Sequence, residues 1–288
     1  MELISSHRCF QGEQRRYRLQ SSELKGTTTV GVFLPPQALG PRPERLPFLI
    51  WLSGLTCSDE NAVQKAGAQR RAAELGLALI TPDTSPRGDD VPTDPDGQWD
   101  FGHGAGFYVD AEREPWRVHY RMHSYVLDEL PARLSAVLPL DPQRQALSGH
   151  SMGGHGALVL GLRHPQRYRS VSAVAPICHP SHCPWGRKAF SHLFGNSPEE
   201  KRQWRRWDAV ALLEDGHRRR DTLLVDVGTA DPFLSDQLRP EDLRSAASSS
   251  GQPLRLTLHE GYDHSYFFVA SVIDRHLEHH ASALHRPW

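Results

Sequence analysis

The 288-residue chain carries 33 Lys and Arg against 34 Asp and Glu, a formal charge of −1, which excludes the clustered basic footprint of a nucleic-acid binder. Its 38% hydrophobic residues and 23 glycines are ordinary for a globular chain. No apolar stretch reaches membrane-span length, and Met1–Arg8 lacks the apolar centre of a signal peptide. One domain over residues 1–288 is therefore expected, in a cytoplasmic protein that binds neither nucleic acid nor membrane. Its four cysteines (Cys9, Cys57, Cys178, Cys183) are too few for a disulfide scaffold and are expected to be thiols.

Residues 14–34 read as a two-strand start, Tyr17–Leu19 and then Thr27–Leu34, ended by Pro35-Pro36. Pro47–Leu52 is a short continuous apolar run closed by Ser53-Gly54, the pattern of a strand buried on both faces. A helical stretch follows from Asp59 to Leu75, then an apolar run at Leu77–Ile80. Residues 84–115 form a long excursion rich in Pro, Gly and Asp. Its Trp99, Phe101, Phe107 and Tyr108 favour an ordered loop packed near a site.

Regular alternation comes next. Helix His119–Val137, kinked at Pro131, leads to strand Arg144–Leu147, helix Met152–Arg163, strand Ser170–Ala175 and helix Glu199–Leu213. Strand Thr222–Val227, helix Gln237–Ser249, strand Leu254–Leu258 and helix Tyr266–His279 complete it, and the basic run His217–Arg220 falls in a solvated loop. This alternation predicts a mostly parallel central sheet with helices on both faces and an antiparallel N-terminal edge.

Gly149-His150-Ser151-Met152-Gly153 fits G-x-S-x-G. The pentapeptide also occurs by chance, so its context decides. An apolar strand precedes it and an Ala/Leu-rich helix follows at once, which makes Ser151 the expected nucleophile of an α/β-hydrolase fold. A strained strand-to-helix turn exposes the hydroxyl, and the helix N-terminus offers positive potential to a developing anion. The bland alternative is a serine N-cap in a glycine-rich turn.

A serine hydroxyl needs a base, and the base needs a carboxylate to fix its tautomer. In this fold the chain order is Ser, acid, His. Asp231 directly follows the strand ending at Val227, with Asp226 and Asp236 as competitors. His264 lies in the loop after the last strand, with His259 as its rival; His150, beside Ser151, is expected to point elsewhere. The oxyanion hole is expected from the amides of Met152 and of Leu55 in Ser53–Cys57.

These blocks resemble the S-formylglutathione hydrolase, or esterase D, family over nearly the whole chain. The resemblance is carried by Leu52–Asn61, Lys65-Ala66-Gly67, Pro82–Gly88, Gly104–Ala111, Gly149–Gly156, Cys183-Pro184-Trp185-Gly186 and Gly261–Tyr266. It implies hydrolysis of S-formylglutathione to glutathione and formate, in glutathione-dependent formaldehyde removal. It implies Ser151, Asp231 and His264 as the triad, a thiol beside the site at Cys57, and no cofactor. Family members are often homodimers, although no stripe in this sequence marks an interface. The sequence departs from the family around Gly12-Glu13-Gln14, and at His123, where a tyrosine or similar residue is expected.

For the substrate, Trp185 and the aromatics of residues 99–108 are candidates to wall a tight acyl pocket. Lys188 or Arg187 is a candidate for a glutathione carboxylate. Cys178-His179-x-x-His182-Cys183 holds metal-ligand residue types, but its spacing is too close for a usual zinc pattern, so a site-lining loop and no metal is expected. The competing functions are a general short-chain carboxylesterase with the same triad and a non-catalytic binding protein on a hydrolase scaffold.

Overall fold

The computed structural model describes residues 1–286. Its strands are β1 (Glu2–Cys9), β2 (Gly12–Ser21), β3 (Gly26–Leu34), β4 (Leu46–Leu52), β5 (Ala78–Pro82), β6 (Leu140–Gly149), β7 (Ser172–Val174), β8 (Leu223–Gly228) and β9 (Leu254–His259). Its helices are α1 (Glu60–Lys65), α2 (Ala68–Leu75), α3 (Met122–Ser124), α4 (Leu130–Ser135), α5 (Met152–Arg163), α6 (Pro184–Phe194), α7 (Pro198–Trp204), α8 (Ala209–Glu214), α9 (Pro240–Ser250) and α10 (Tyr266–Leu284).

The strands run in the order β1-β2-β3-β5-β4-β6 and then β7-β8-β9. Parallel bridges Leu147–Val171 and His150–Val174 join the two runs. β1, β2 and β3 pair antiparallel, β3 meets β5 antiparallel, and the later pairings are parallel. The apolar runs follow from this placement. All seven residues of β4 and all six of β8 are buried, because helices cover both faces of those strands. α10 packs beside α1 and α2, while α5 packs beside α8.

Four elements differ from the sequence-based expectation, each for a local reason. β1 was not anticipated, because an edge strand of mostly exposed residues carries no apolar run. The helical stretch after Asp59 breaks into α1 and α2, since Gly67 turns left-handed at φ +69°. Around Pro131 the chain widens where the Leu130 amide reaches back five residues to the Tyr125 carbonyl. This turn accommodates a proline that has no amide to give. The predicted helix Glu199–Leu213 is likewise divided, because the Asp208 carboxylate caps a new helix through the Val210 and Ala211 amides.

A buried polar chain links α10 to the sheet. Asp226 Oδ2 lies 3.0 Å from His276 Nε2, and His276 Nδ1 lies 2.8 Å from Ser172 Oγ. Ser172 also meets Ser148 Oγ at 2.8 Å and His280 Nε2 at 2.7 Å, and His280 Nδ1 reaches Ser170 Oγ at 2.8 Å. Asp226 Oδ1 takes further bonds from His259 and Arg275, each at 3.0 Å. Burial works against the charge of Asp226, but the His276, His259 and Arg275 partners outweigh it and hold the carboxyl below its usual range.

Histidine burial has a consequence for acid stability. Burial lowers His123 to about 2 and His155 to about 4, and it pushes His150 and His280 well below 6.5. A histidine depressed in this way has no effect above its unfolded pKa. Below that value the unfolded chain alone takes up the proton, so stability falls with pH. At pH 5 each such group costs about 2 kcal/mol, and four approach the whole stability of a domain, about 5–15 kcal/mol. Urea midpoints should stay flat above about pH 7 and collapse between about pH 6.5 and 5. Equal midpoints at neutral pH and pH 5 would contradict the assignment of these rings as buried and neutral.

Candidate active site

Ser151 stands between β6 and α5 with φ +58° and ψ −120°, a conformation that costs a non-glycine residue about 1–3 kcal/mol. The surroundings fix it there. Its amide donates to the Val174 carbonyl at 3.0 Å, and its carbonyl accepts from His155 at 3.0 Å and Ile177 at 3.2 Å. The helix start must pass almost in contact with β4. A Cβ on Gly153 would lie 2.0 Å from the Leu52 carbonyl oxygen, so only glycine fits.

Asp231 follows β8 and His264 follows β9, so both side chains leave the same sheet edge as Ser151. They meet as the sequence order predicts. His264 Nε2 is 2.9 Å from Ser151 Oγ, and His264 Nδ1 is 2.6 Å from Asp231 Oδ2. The second Asp231 oxygen accepts the Phe233 amide at 2.8 Å, and the carboxylate has no solvent exposure. An acceptor-only carboxylate on Nδ1 makes Nδ1–H the donor and leaves Nε2 free to take a proton from the serine. The rivals are engaged elsewhere. Asp226 faces α10, Asp236 is exposed, and His259 Nε2 bonds Asp226.

The loop after β4 comes against Ser151 at Gly54, where a Cβ would sit 3.0 Å from the Ser151 Cβ. Next to it, the Leu55 amide donates to no described residue, and neither does the Met152 amide at the start of α5. Two undirected N–H groups beside the Ser151 hydroxyl make a site for a developing oxyanion.

The long excursion braces this loop from behind. Thr56 donates to the Gly104 carbonyl at 2.8 Å, the Tyr108 hydroxyl donates to the Ser53 carbonyl at 2.9 Å, and the Phe107 amide meets Met152 Sδ at 3.3 Å. Phe107 and Tyr108 are fully buried, so these aromatics pack beneath the site and do not wall a cleft. Trp185 does face the site region. Its ring lies 4.7 Å from Phe233, whose ring meets His264 edge-on at 5.0 Å, while the exposed Trp99 lies 5.6 Å beyond Trp185. Lys188 is held by Asp94 at 2.6 Å and by Asp100, so its ammonium ties α6 to the excursion. Cys57 is buried two residues after Leu55, and burial raises its thiol pKa.

Phe233 escaped the sequence reading, and His150, expected to point elsewhere, packs against the site. The His150 ring packs 4.6 Å from the His264 ring. Burial, then the neighbouring His264, push it well below 6.5, so it adds no positive charge beside an imidazolium. Phe233 both bonds Asp231 and flanks His264; its place two residues after the acid was the only available signal.

Comparison with known proteins identifies the family and the fold. A family model described as an esterase matches residues 21–279. The S-formylglutathione hydrolase of Mus musculus is 48% identical over 285 residues, which is 99% of each chain. The solved S-formylglutathione hydrolase of Agrobacterium tumefaciens is 44% identical with a TM-score of 0.94, and the match covers 99% of this chain and 100% of that one. A fluorophosphonate-binding serine hydrolase of Staphylococcus aureus, 19% identical with a TM-score of 0.71 over 94% of this chain and 98% of its own, shares the fold alone. With that family match and near-half identity from end to end, this chain belongs to the S-formylglutathione hydrolase family of esterases.

Proposed function

We propose that the chain hydrolyses S-formylglutathione to glutathione and formate, with Ser151 as nucleophile, His264 as base and Asp231 as its orienting acid. The observation that carries this reading is the unbroken Ser151–His264–Asp231 chain, at 2.9 and 2.6 Å, beside two free amides. His264 Nε2 takes the Ser151 proton as the oxygen attacks the thioester carbonyl. The carbonyl oxygen becomes an anion held by the Leu55 and Met152 amides, at the positive end of α5. The C–S bond then breaks, and the glutathione sulfur leaves with the proton from His264. Water repeats the sequence: it gives a proton to His264 and its oxygen to the formyl carbon, and formate departs as Ser151 regains its hydrogen. No step calls for a metal or an organic cofactor.

Ser151 is 3% exposed, which suits an acyl group no larger than formyl. Trp185, with Phe233 behind it, would wall the leaving-group side. Lys188, already balanced by two carboxylates, would act by fixing the excursion to α6 rather than by meeting a glutathione carboxylate. Cys57 would lie against the oxyanion loop as a neutral thiol without a chemical role. The four free cysteines and a thiol product suit the reducing cytoplasm, and the reaction would complete glutathione-dependent formaldehyde removal.

Side-by-side turnover of S-formylglutathione by the wild type and Ser151→Ala tests the assignment. The variant should lose at least about 10⁴-fold in kcat with its unfolding curve unchanged. Residual turnover within tenfold of wild type would reject Ser151. A specificity constant for a short aryl acetate above that for S-formylglutathione would favour the general carboxylesterase. The oxyanion loop has its own test, because the added methyl of Gly54→Ala pushes the Leu55 amide away from Ser151. A loss in kcat of about 10²-fold is expected with KM little changed, close to the worth of one oxyanion donor. An unchanged kcat would remove Leu55 from the mechanism.

A further inference from the structure

The segment between β7 and α6 gathers two histidines and an aspartate that the triad does not use. His179 precedes and His182 ends the short turn Pro180–His182, and their rings lie 3.9 Å apart. Asp208, the cap of α8, comes against them from 26 residues further along the chain. One ligand atom from each of His179, His182 and Asp208 lies within 4.8 Å of the others.

The hydrogen bonds decide which atoms are free. Asp242 accepts from His179 Nδ1 at 2.8 Å, so the neutral His179 ring carries its hydrogen on Nδ1 and has a bare lone pair on Nε2. That lone pair faces Asp208 Oδ2 at 3.8 Å. Two acceptors therefore oppose each other with no donor between them, at a distance too long for a hydrogen bond. Ser181 settles the other ring. Its hydroxyl sits 2.6 Å from Asp208 Oδ2, and a carboxylate cannot donate, so the hydroxyl hydrogen points to Asp208. Ser181 Oγ, 3.0 Å from His182 Nδ1, must then accept, which leaves His182 Nε2 bare as well. Each imidazole is thus backed through Nδ1, His179 by Asp242 directly and His182 by Asp208 through Ser181. This backing is the usual outer-shell arrangement of metal-bound histidine.

We propose that His179, His182 and Asp208 form a binding site for a divalent transition metal of the zinc class. Two imidazoles and a carboxylate are borderline ligands suited to Zn²⁺, Co²⁺ or Ni²⁺. Ligands on bonds of about 2.1 Å at a tetrahedral centre stand about 3.4 Å apart, so the 3.8 Å gap between His179 and Asp208 needs a shift of only a few tenths of an ångström. The Asp208 side chain is fully buried and is anchored by the Ser181, Val210 and Ala211 amides. His182 is exposed and lines a groove of about 700 Å³, which gives the ion an entry path and leaves open positions for water. The spacing of the two histidines alone argued against a metal; the ligand from α8 completes a set that local sequence could not reveal. The rival reading of the gap is a plain ion pair between His179 Nε2 and Asp208 Oδ2.

Zinc titration of the metal-stripped full chain at pH 7.5, by calorimetry and by elemental analysis after dialysis, separates the two. The wild type should hold one equivalent of Zn²⁺ per chain, and Co²⁺ in its place should give the visible absorption of a low-coordinate ion. His182→Ala, at an exposed position, should weaken binding at least about tenfold, and His179→Gln should do the same. Absence of stoichiometric zinc in the wild type, or wild-type affinity in both variants, would overturn the proposal and leave an adventitious ion only.

Discussion

The site rests on one constraint, the abrupt reversal of the chain at Ser151. With φ at +58° the residue is neither strand nor helix, and the hydroxyl stands out from the sheet edge because the backbone has been bent away from it. The bend requires a backbone-to-backbone approach that a side chain at Gly153 would block. It also starts α5 within reach of the hydroxyl, so one turn brings together the proposed nucleophile, one undirected amide and the positive end of a helix. The strain is held by hydrogen bonds to β7 and to the segment after it.

The partners of Ser151 depend on parallel strand order. Asp231 and His264 lie far from it in sequence, but β6, β8 and β9 all point the same way and end at the same edge. Each loop is then fixed by a few specific contacts. The Phe233 amide holds Asp231, and the ends of β8 and β9 are tied through Asp226 and His259. The loop with the second free amide is braced by Gly104 and Tyr108 from the long excursion, which explains why irregular chain of that length stays ordered.

Ser151, Asp231 and His264 were all legible as candidates because each sits shortly after an apolar strand, a pattern local enough to read. The regular α/β core was legible for the same reason. What escaped was set by contacts distant in sequence or by single atoms of the backbone. The exposed residues of β1 form a strand only because β2 is there to pair with it. The excursion's aromatics were read as neighbours of the site, but whether they wall it or support it depends on the Ser53 carbonyl that Tyr108 finds. Lys188 looked like a free cation, and only the folded chain brings Asp94 and Asp100 to it.

The linkage of Asp226, His276 and Ser172 repeats the acid–imidazole–alcohol sequence of Asp231, His264 and Ser151 at comparable distances, yet all three of its members are in the interior. Its alcohol is crowded by a second hydroxyl and a second imidazole, and no solvent reaches it. The molecule therefore contains its own control: the same three functional groups, sealed between a sheet and a helix, serve as mortar. What such a trio does is a matter of address, set by a bent backbone, a helix end and undirected amides, and not by the residue types alone.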